Sequence, residues 1–228
     1  MNALEIAQLV RQECGIAGSG TPSAFTGQTG EMKRVVDWVV QADLYIQSLE
    51  VDWRFLWKEF QVNTVVGTAS YAVPTDFDEW DPDSFYLNYS ADDNIKLDVF
   101  TDYREWRKDY RQGVKTNQIP DKIVIKPDDS LILDWPPNAI FSLTADYYRK
   151  PIALAADADE PPYPARYHRA IVARAKRMYA AFEDAPEVMS EAENEWSQIY
   201  PRLEASPLTS QKGRYNSDYA EGLVVEVQ

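Results

Sequence analysis

One cysteine and one histidine are all that 228 residues contain of those two types. Cys14 alone forms no internal disulfide, so nothing implies an oxidising compartment. Without paired Cys or a second His there is no zinc or copper site of the usual kind. The chain has no G-x-S-x-G, no G-x-x-x-x-G-K-[ST], and no G-x-G-x-x-G between a strand and a helix. No apolar run is long enough to cross a bilayer, and MNALEIAQLVRQE lacks the basic start and long apolar core of a signal peptide. The expectation is a soluble protein, intracellular when made, with no membrane contact. Basic residues are scarce too: 23 Lys and Arg stand against 37 Asp and Glu, a net charge of −14. Such a chain repels phosphates, which speaks against sequence-specific nucleic-acid binding. It suits a wall past which a duplex slides without sticking.

What is abundant is aromatic surface. Seven Trp and fourteen Tyr supply material for a core and for interfaces with one apolar and one wet side. Residues 2 to 13 read as a short helix with Ile6, Ala7, Leu9 and Val10 apolar. Residues 15 to 30, rich in Gly, Ser and Thr, read as a flexible loop with little to bury. Val35, Trp38, Val39, Ala42, Tyr45, Ile46 and Leu49 recur at three- and four-residue steps, which predicts a helix from Glu31 to about Leu49. Phe60 to Val66 alternates, residues 67 to 70 turn, and Tyr71 to Val73 returns, the pattern of a hairpin. Further strands are expected over 84–89, 95–100, 122–126, 131–135 and 141–148. A helix over 101–111, capped by Thr101, interrupts them. Two helices follow, one from Pro164 to Glu183 and one starting at Asp184 with Glu187 as its capping-box partner. Strands in the middle with helices at both ends make the fold class α+β. The tail from Ser206 is polar and ends in the β-prone string Leu223-Val224-Val225-Glu226-Val227.

Catalysis finds no constellation. His168 sits among apolar helix residues and reads as a satisfied core histidine. Asp76, Asp78, Glu79, Asp81 and Asp83 cluster beside Trp80, which leaves a carbohydrate-binding or hydrolytic module as the alternative reading, since two carboxylates suffice for glycoside hydrolysis and an indole stacks on sugar. Turn-rich sequence around them favours solvated Asx turns instead. The chain is read as no enzyme, with no catalytic residue, no metal and no cofactor. The basic run Arg166, Arg169, Arg174, Lys176 and Arg177 stands out in an acidic chain. Contact with a neighbouring subunit, pairing with the Glu-rich helix that follows, and DNA contact all remain open for it.

Taken in order, several segments resemble the head-to-tail adaptor (head-completion, tail-tubular) proteins of tailed bacteriophages. They are the early apolar helix, DWRFLWKEFQVNT, YAVPTDFDEWD, IPDKIVIKPDDSLILDWPPNAIFSLTADYYRKP, and DADEPPYPARYHRAIVARAKRMY leading into the last helix. The resemblance implies a helical bundle formed by the N- and C-terminal helices, a central antiparallel β-rich module and an extended C-terminal tail. The corresponding parts are 1–57 with the loop 15–30, 58–150 with one inserted helix, 151–205 completing the bundle, and 206–228 as a partner-docking tail. It also implies a homo-oligomeric ring, usually a dodecamer, beneath the portal protein at the head-tail interface of the virion. Such a ring extends the DNA channel and carries a tail or nozzle protein below, while double-stranded DNA passes through without sequence-specific binding. The residues expected to dock on the portal are Arg214, Tyr215, Tyr219, Leu223, Val224, Val225 and Val227. The basic run on the penultimate helix is expected to meet neighbouring copies.

Overall fold

A computed structural model describes residues 1–16, 20–90, 93–100, 102–109 and 115–206. The chain divides into two units, one built from Met1–Phe55 and the chain from Pro151 onward, the other from Leu56–Lys150. The first is helical and the second holds every described strand, so the fold is mixed α+β.

In the helical unit, α1 (Ala3–Glu13) opens with a capping box. The Asn2 side chain accepts from the Glu5 amide at 2.8 Å, and the Glu5 carboxylate accepts from the Asn2 amide at 3.0 Å. Helix α2 (Gly30–Gln47) buries Val35, Val39, Ala42 and Ile46 as its periodicity predicts. Its buried stripe also takes in Asp43 and Gln47, while Tyr45 is left 38% exposed. The described part of the 15–30 loop is better anchored than its composition suggests. Phe25 is buried, its amide donates to Asp157 Oδ1 at 2.6 Å, and Gln8 Nε2 donates to the Pro22 carbonyl at 2.9 Å. Ala165–Tyr167 form a 3₁₀ turn, and the penultimate helix starts after it.

Two helices close the unit. The first is Arg169–Glu183 and the second Pro186–Glu204. Asp184 does not open the second by a capping box. It ends the first in the left-handed conformation, with φ 52° and ψ 49°. Aspartate tolerates that conformation better than most residues, and it reverses the chain within two residues. Pro186 then starts the next helix, where a missing N–H costs nothing.

In the second unit, β1 (Trp57–Asn63), β2 (Ser70–Tyr71), β3 (Phe77–Trp80), β4 (Tyr86–Asn88), β5 (Asn94–Lys96) and β6 (Asp98–Phe100) precede α3 (Tyr103–Asp109). Strands β7 (Lys122–Ile125), β8 (Leu131–Leu133) and β9 (Ser142–Arg149) follow it. The penultimate and last helices are α4 and α5. One sheet has the order β1-β9-β4-β5, with β3 also on β9, and the other runs β2-β8-β7-β6. Pairing is antiparallel except between β6 and β7.

The expected hairpin of residues 60 to 73 does not form. β1 pairs with β9, and β2 pairs with β8 in the other sheet. The intervening residues carry the chain between sheets with polar groups satisfied by both near and distant partners. Gly67, at φ 80°, donates to the Pro137 carbonyl at 3.0 Å, and the Tyr71 hydroxyl bridges the Thr68 carbonyl and the Val65 amide. The strand expected over 95–100 likewise splits at buried Leu97, whose amide donates to the Phe85 carbonyl. Helix α3 is capped by the Asp102 carboxylate, which accepts from Arg104 and Glu105 amides at 2.7 and 3.1 Å. Thr101, the expected cap, lies outside the described residues.

Candidate docking surfaces

The basic run of α4 is drawn largely inside its own unit. Helix α4 packs against α1, α2 and α5, and Ala170, Ala173, Ala175 and Ala180 are small enough to let those neighbours close in. Lys176 is fully buried. Its ammonium lies 3.0 Å from Glu13, 3.2 Å from Glu191 and 3.9 Å from Glu195. Arg169 joins the same cluster, with Nε donating to Glu195 at 2.6 Å and its terminal nitrogens to Glu13. Burial by itself raises the Glu13 carboxyl, but hydrogen bonds from Arg169 and Lys176 hold it below the usual carboxylate range. Arg177 stands 3.7 Å from Glu193. Arg174 lies over the Tyr45 ring at 3.9 Å and Arg166, exposed, over Tyr167 at 4.8 Å. So the answer of the following Glu-rich helix to this run, one of the readings open from sequence, is a built feature. Glu13 of α1 is a partner that no helical spacing pointed to.

Beside these ion pairs runs a half-exposed aromatic ridge. Trp38 meets Tyr179 and Phe182, Tyr45 meets Trp196, and Trp196 stacks on Tyr200 at 5.1 Å. Phe182 is 53% exposed. Rings of this kind, with cations over their faces, have the composition of a protein interface.

His168 is a core histidine, as its position among apolar residues suggests. It is buried, with Nε2 2.8 Å from the Tyr163 carbonyl and Nδ1 3.2 Å from the Met1 amine. Nε2 donates to the carbonyl, so Nδ1 is the acceptor in the neutral ring. Burial pushes the imidazole below its ordinary pKa, against the Tyr163 hydrogen bond. The Tyr163 hydroxyl donates to Asp43 at 2.8 Å, and Gln47 donates to the other Asp43 oxygen at 2.7 Å. Gln47 also exchanges two hydrogen bonds with the Ile152 backbone. Burial raises the Asp43 carboxyl to about 6 despite these donors. The network fastens the segment after Pro151 to α2, which gives it a structural purpose.

The acidic run of residues 76 to 83 divides differently. Asp76 accepts from Lys58 and from the Tyr147 hydroxyl, both at 2.9 Å, and the Lys58 bond holds it below the ordinary aspartate range. Asp78 and Glu79 are exposed. Trp80 is not a sugar platform. It is 4% exposed, ringed by Phe60, Phe77, Phe85 and Tyr147, and its indole N–H donates to the Asp129 carbonyl. A register shift between Phe77 and Glu79 explains why both Phe77 and Trp80 turn inward although they stand three residues apart. Among the described residues, no group of His, Cys, Asp and Glu is arranged to hold a metal ion. No helix there is long and apolar enough to cross a membrane.

Arg214, Tyr215, Tyr219, Leu223, Val224, Val225 and Val227 lie outside the described residues. The chain departs toward them from Ser206, beside Arg166, Tyr167, Ile199 and Arg202 around an open depression of about 490 Å³. In the second unit, loops tied by Gly67–Pro137, Gln118–Pro136 and Thr64–Phe141 backbone bonds leave Val65, Val66, Ile119 and Ile140 exposed.

The Lys176 ion pairs are turned inward, Phe182 and several aliphatic side chains are turned outward, and the Trp80 platform is closed off. The family model for the SU10 adaptor protein matches residues 1–220, and the chain belongs to that family of phage adaptor proteins. The match spans both units, and as an adaptor the protein joins others of the phage particle. No curated protein matches the chain.

Proposed function

We propose that the protein is a structural virion subunit at the head-tail interface, made in the host cytoplasm. Copies of it form a ring, a dodecamer by resemblance, that docks under the portal, extends the DNA channel and offers a platform to a tail or nozzle protein. The observation that carries this is membership of an adaptor family over 1–220. Charge and surface support it. With Arg169 and Lys176 neutralised inside the helical unit, the excess of carboxylates is left to the exterior, and an acidic channel wall lets DNA move without adhering. A ring needs two different surfaces on each copy that meet across every boundary. The aromatic ridge, with Arg174 and Arg177 on α4 and Arg166 in the turn before it, supplies one of them. Arg169 and Lys176 serve it indirectly, by holding α1, α4 and α5 together.

On this proposal the helices of the first unit form the bundle, 206–228 is the portal-docking tail, and no step of chemistry is carried out. The test is imaging of the protein mixed with the portal protein of the same phage. Rings coaxial with the portal are expected from the full chain and not from a chain ending at Ala205. Equal portal binding by both chains removes the role of the tail. The absence of any portal-bound ring from the full chain removes the reading itself.

A further inference from the structure

Strand β1 is a seven-residue edge, with β9 as its neighbour in the sheet. The Arg149 amide donates to the Leu56 carbonyl at 2.9 Å and the Thr64 amide to the Phe141 carbonyl at 2.8 Å, which sets the phase of the antiparallel ladder. In that phase Lys58, Phe60 and Val62 turn their backbone groups toward β9. Trp57, Glu59, Gln61 and Asn63 turn theirs away, and among the described residues no strand pairs with them. All four are exposed. No proline or bulge interrupts the pairing with β9, and the Lys58 charge is met by Asp76 of the same unit at 2.9 Å. A long, regular edge of this kind is a template for another strand. The β core is also incompletely covered on this side. Phe60 and Val62 pack against it and remain only partly buried, with Phe60 edge-on to Trp80 at 5.2 Å.

This edge is its own complement. Its four outward residues are disposed symmetrically about Phe60, so a second β1 turned through a two-fold axis at Phe60 presents outward groups to outward groups. We infer that in the free protein two copies of the chain join by antiparallel addition of β1 to β1 about that axis. Trp57 then faces Asn63 of the second copy, Lys58 faces Val62, Glu59 faces Gln61, and Phe60 faces Phe60. No like charges stand opposite each other, and the strand, with one cation and one carboxylate, is neutral. That matters in a chain of net charge −14, whose copies repel one another overall. The Phe60 pair falls at a non-hydrogen-bonded position, where cross-strand Cα atoms approach to about 4.5 Å. Each ring therefore covers the open margin of the other copy's core. The neighbouring registers that keep the same phase pair fewer residues, and one of them sets Glu59 against Glu59. The pairing belongs to the β unit and to the protein before assembly, and it does not rest on the ring reading.

Sedimentation equilibrium of the full chain across a range of concentrations, with amide exchange read residue by residue, tests this. A dimer is expected, and the amides of Trp57, Glu59, Gln61 and Asn63 should gain protection as concentration rises. Lys58, Phe60 and Val62, bonded to β9, serve as the internal control. Gln61→Lys sets a cation opposite Glu59 twice in each dimer and should tighten it by about threefold or more, while Gln61→Glu should loosen it by about as much. Both variants are at an exposed position. Ser142→Ala removes the 2.9 Å bond that Gln61 Nε2 donates to the Ser142 hydroxyl, adds no charge, and should leave the dimer unchanged. A monomer at the highest soluble concentration overturns the inference. So does a dimer that Gln61→Lys loosens or leaves unchanged, since another register or another surface then holds it. Protection of the four outward amides in the monomer means that a segment of the same chain covers the edge, which overturns it too.

Discussion

Two runs of like charge, acidic over 76–83 and basic over 166–177, are treated in opposite ways by the fold. The acidic run keeps Asp78 and Glu79 in water and sends its aromatics, Phe77 and Trp80, into the core of the β unit. The basic run sends a cation inward: Lys176 is fully buried and its charge is answered by Glu13 and Glu195 from two other helices. The difference lies in what surrounds each run. Alanines around Lys176 let three helices approach and bring carboxylates with them. A bulged strand near Asp78 leaves no element to cover it.

The comparison is most easily broken at its buried members. Trp80→Ala should cost about 3–5 kcal/mol in denaturant unfolding, because it empties the centre of an aromatic cluster. A loss under 1 kcal/mol would mean that the indole is not the keystone of that core. Lys176→Ala comes next, at about 3 kcal/mol, because it empties a buried position and removes one of the two cations, Lys176 and Arg169, that Glu13 and Glu195 share. Lys176→Met combined with Glu13→Gln should recover much of that loss. If the double variant is no better than the single one, pairing is not what holds Lys176.

Asp43 gives a smaller effect with a pH signature. Its carboxyl, ordinarily at 3.8, is raised to about 6 in the fold, so the folded state binds more protons between those values. Its contribution to stability is complete below about pH 4 and is lost as pH rises through about 6, by about 2–3 kcal/mol. Asp43→Asn should flatten stability across that window, read from unfolding midpoints at several pH values. His168 works in the other direction. It is held neutral by burial, so its contribution is present above its ordinary value of 6.5 and fades as pH falls through the folded one. A slope of the same sign at both ends would contradict this pairing of groups. Smallest of all are Asp78→Ala and Glu79→Ala, each expected within about 0.5 kcal/mol of the parent. A large effect at either would reopen the acidic run as a site.

Much of the helical unit was legible from spacing. Val35, Val39, Ala42 and Ile46 fall where a 3.6-residue period puts them, and His168 is the core residue its neighbours suggested. The β unit was less legible. Strand β3 hid among turn-forming aspartates, and the hairpin of residues 60 to 73 satisfied every local rule yet its arms joined different sheets. Asp184 had the right spacing for a helix start and serves as a helix stop, because left-handed backbone is chosen by the path of the chain and not by the side chain three residues on.

The sequence by itself determined composition-level properties: an acidic chain, α+β order, no motif for chemistry, and a likeness to phage adaptors that the family match upholds. Periodicity and residue type carry these, since they depend on near neighbours only. Tertiary structure alone decided which charges are spent internally, which aromatics face water, and which strand is left as an edge. Each of those depends on residues far apart in the chain, as Glu13 and Lys176 are, and their meeting is encoded in no local pattern.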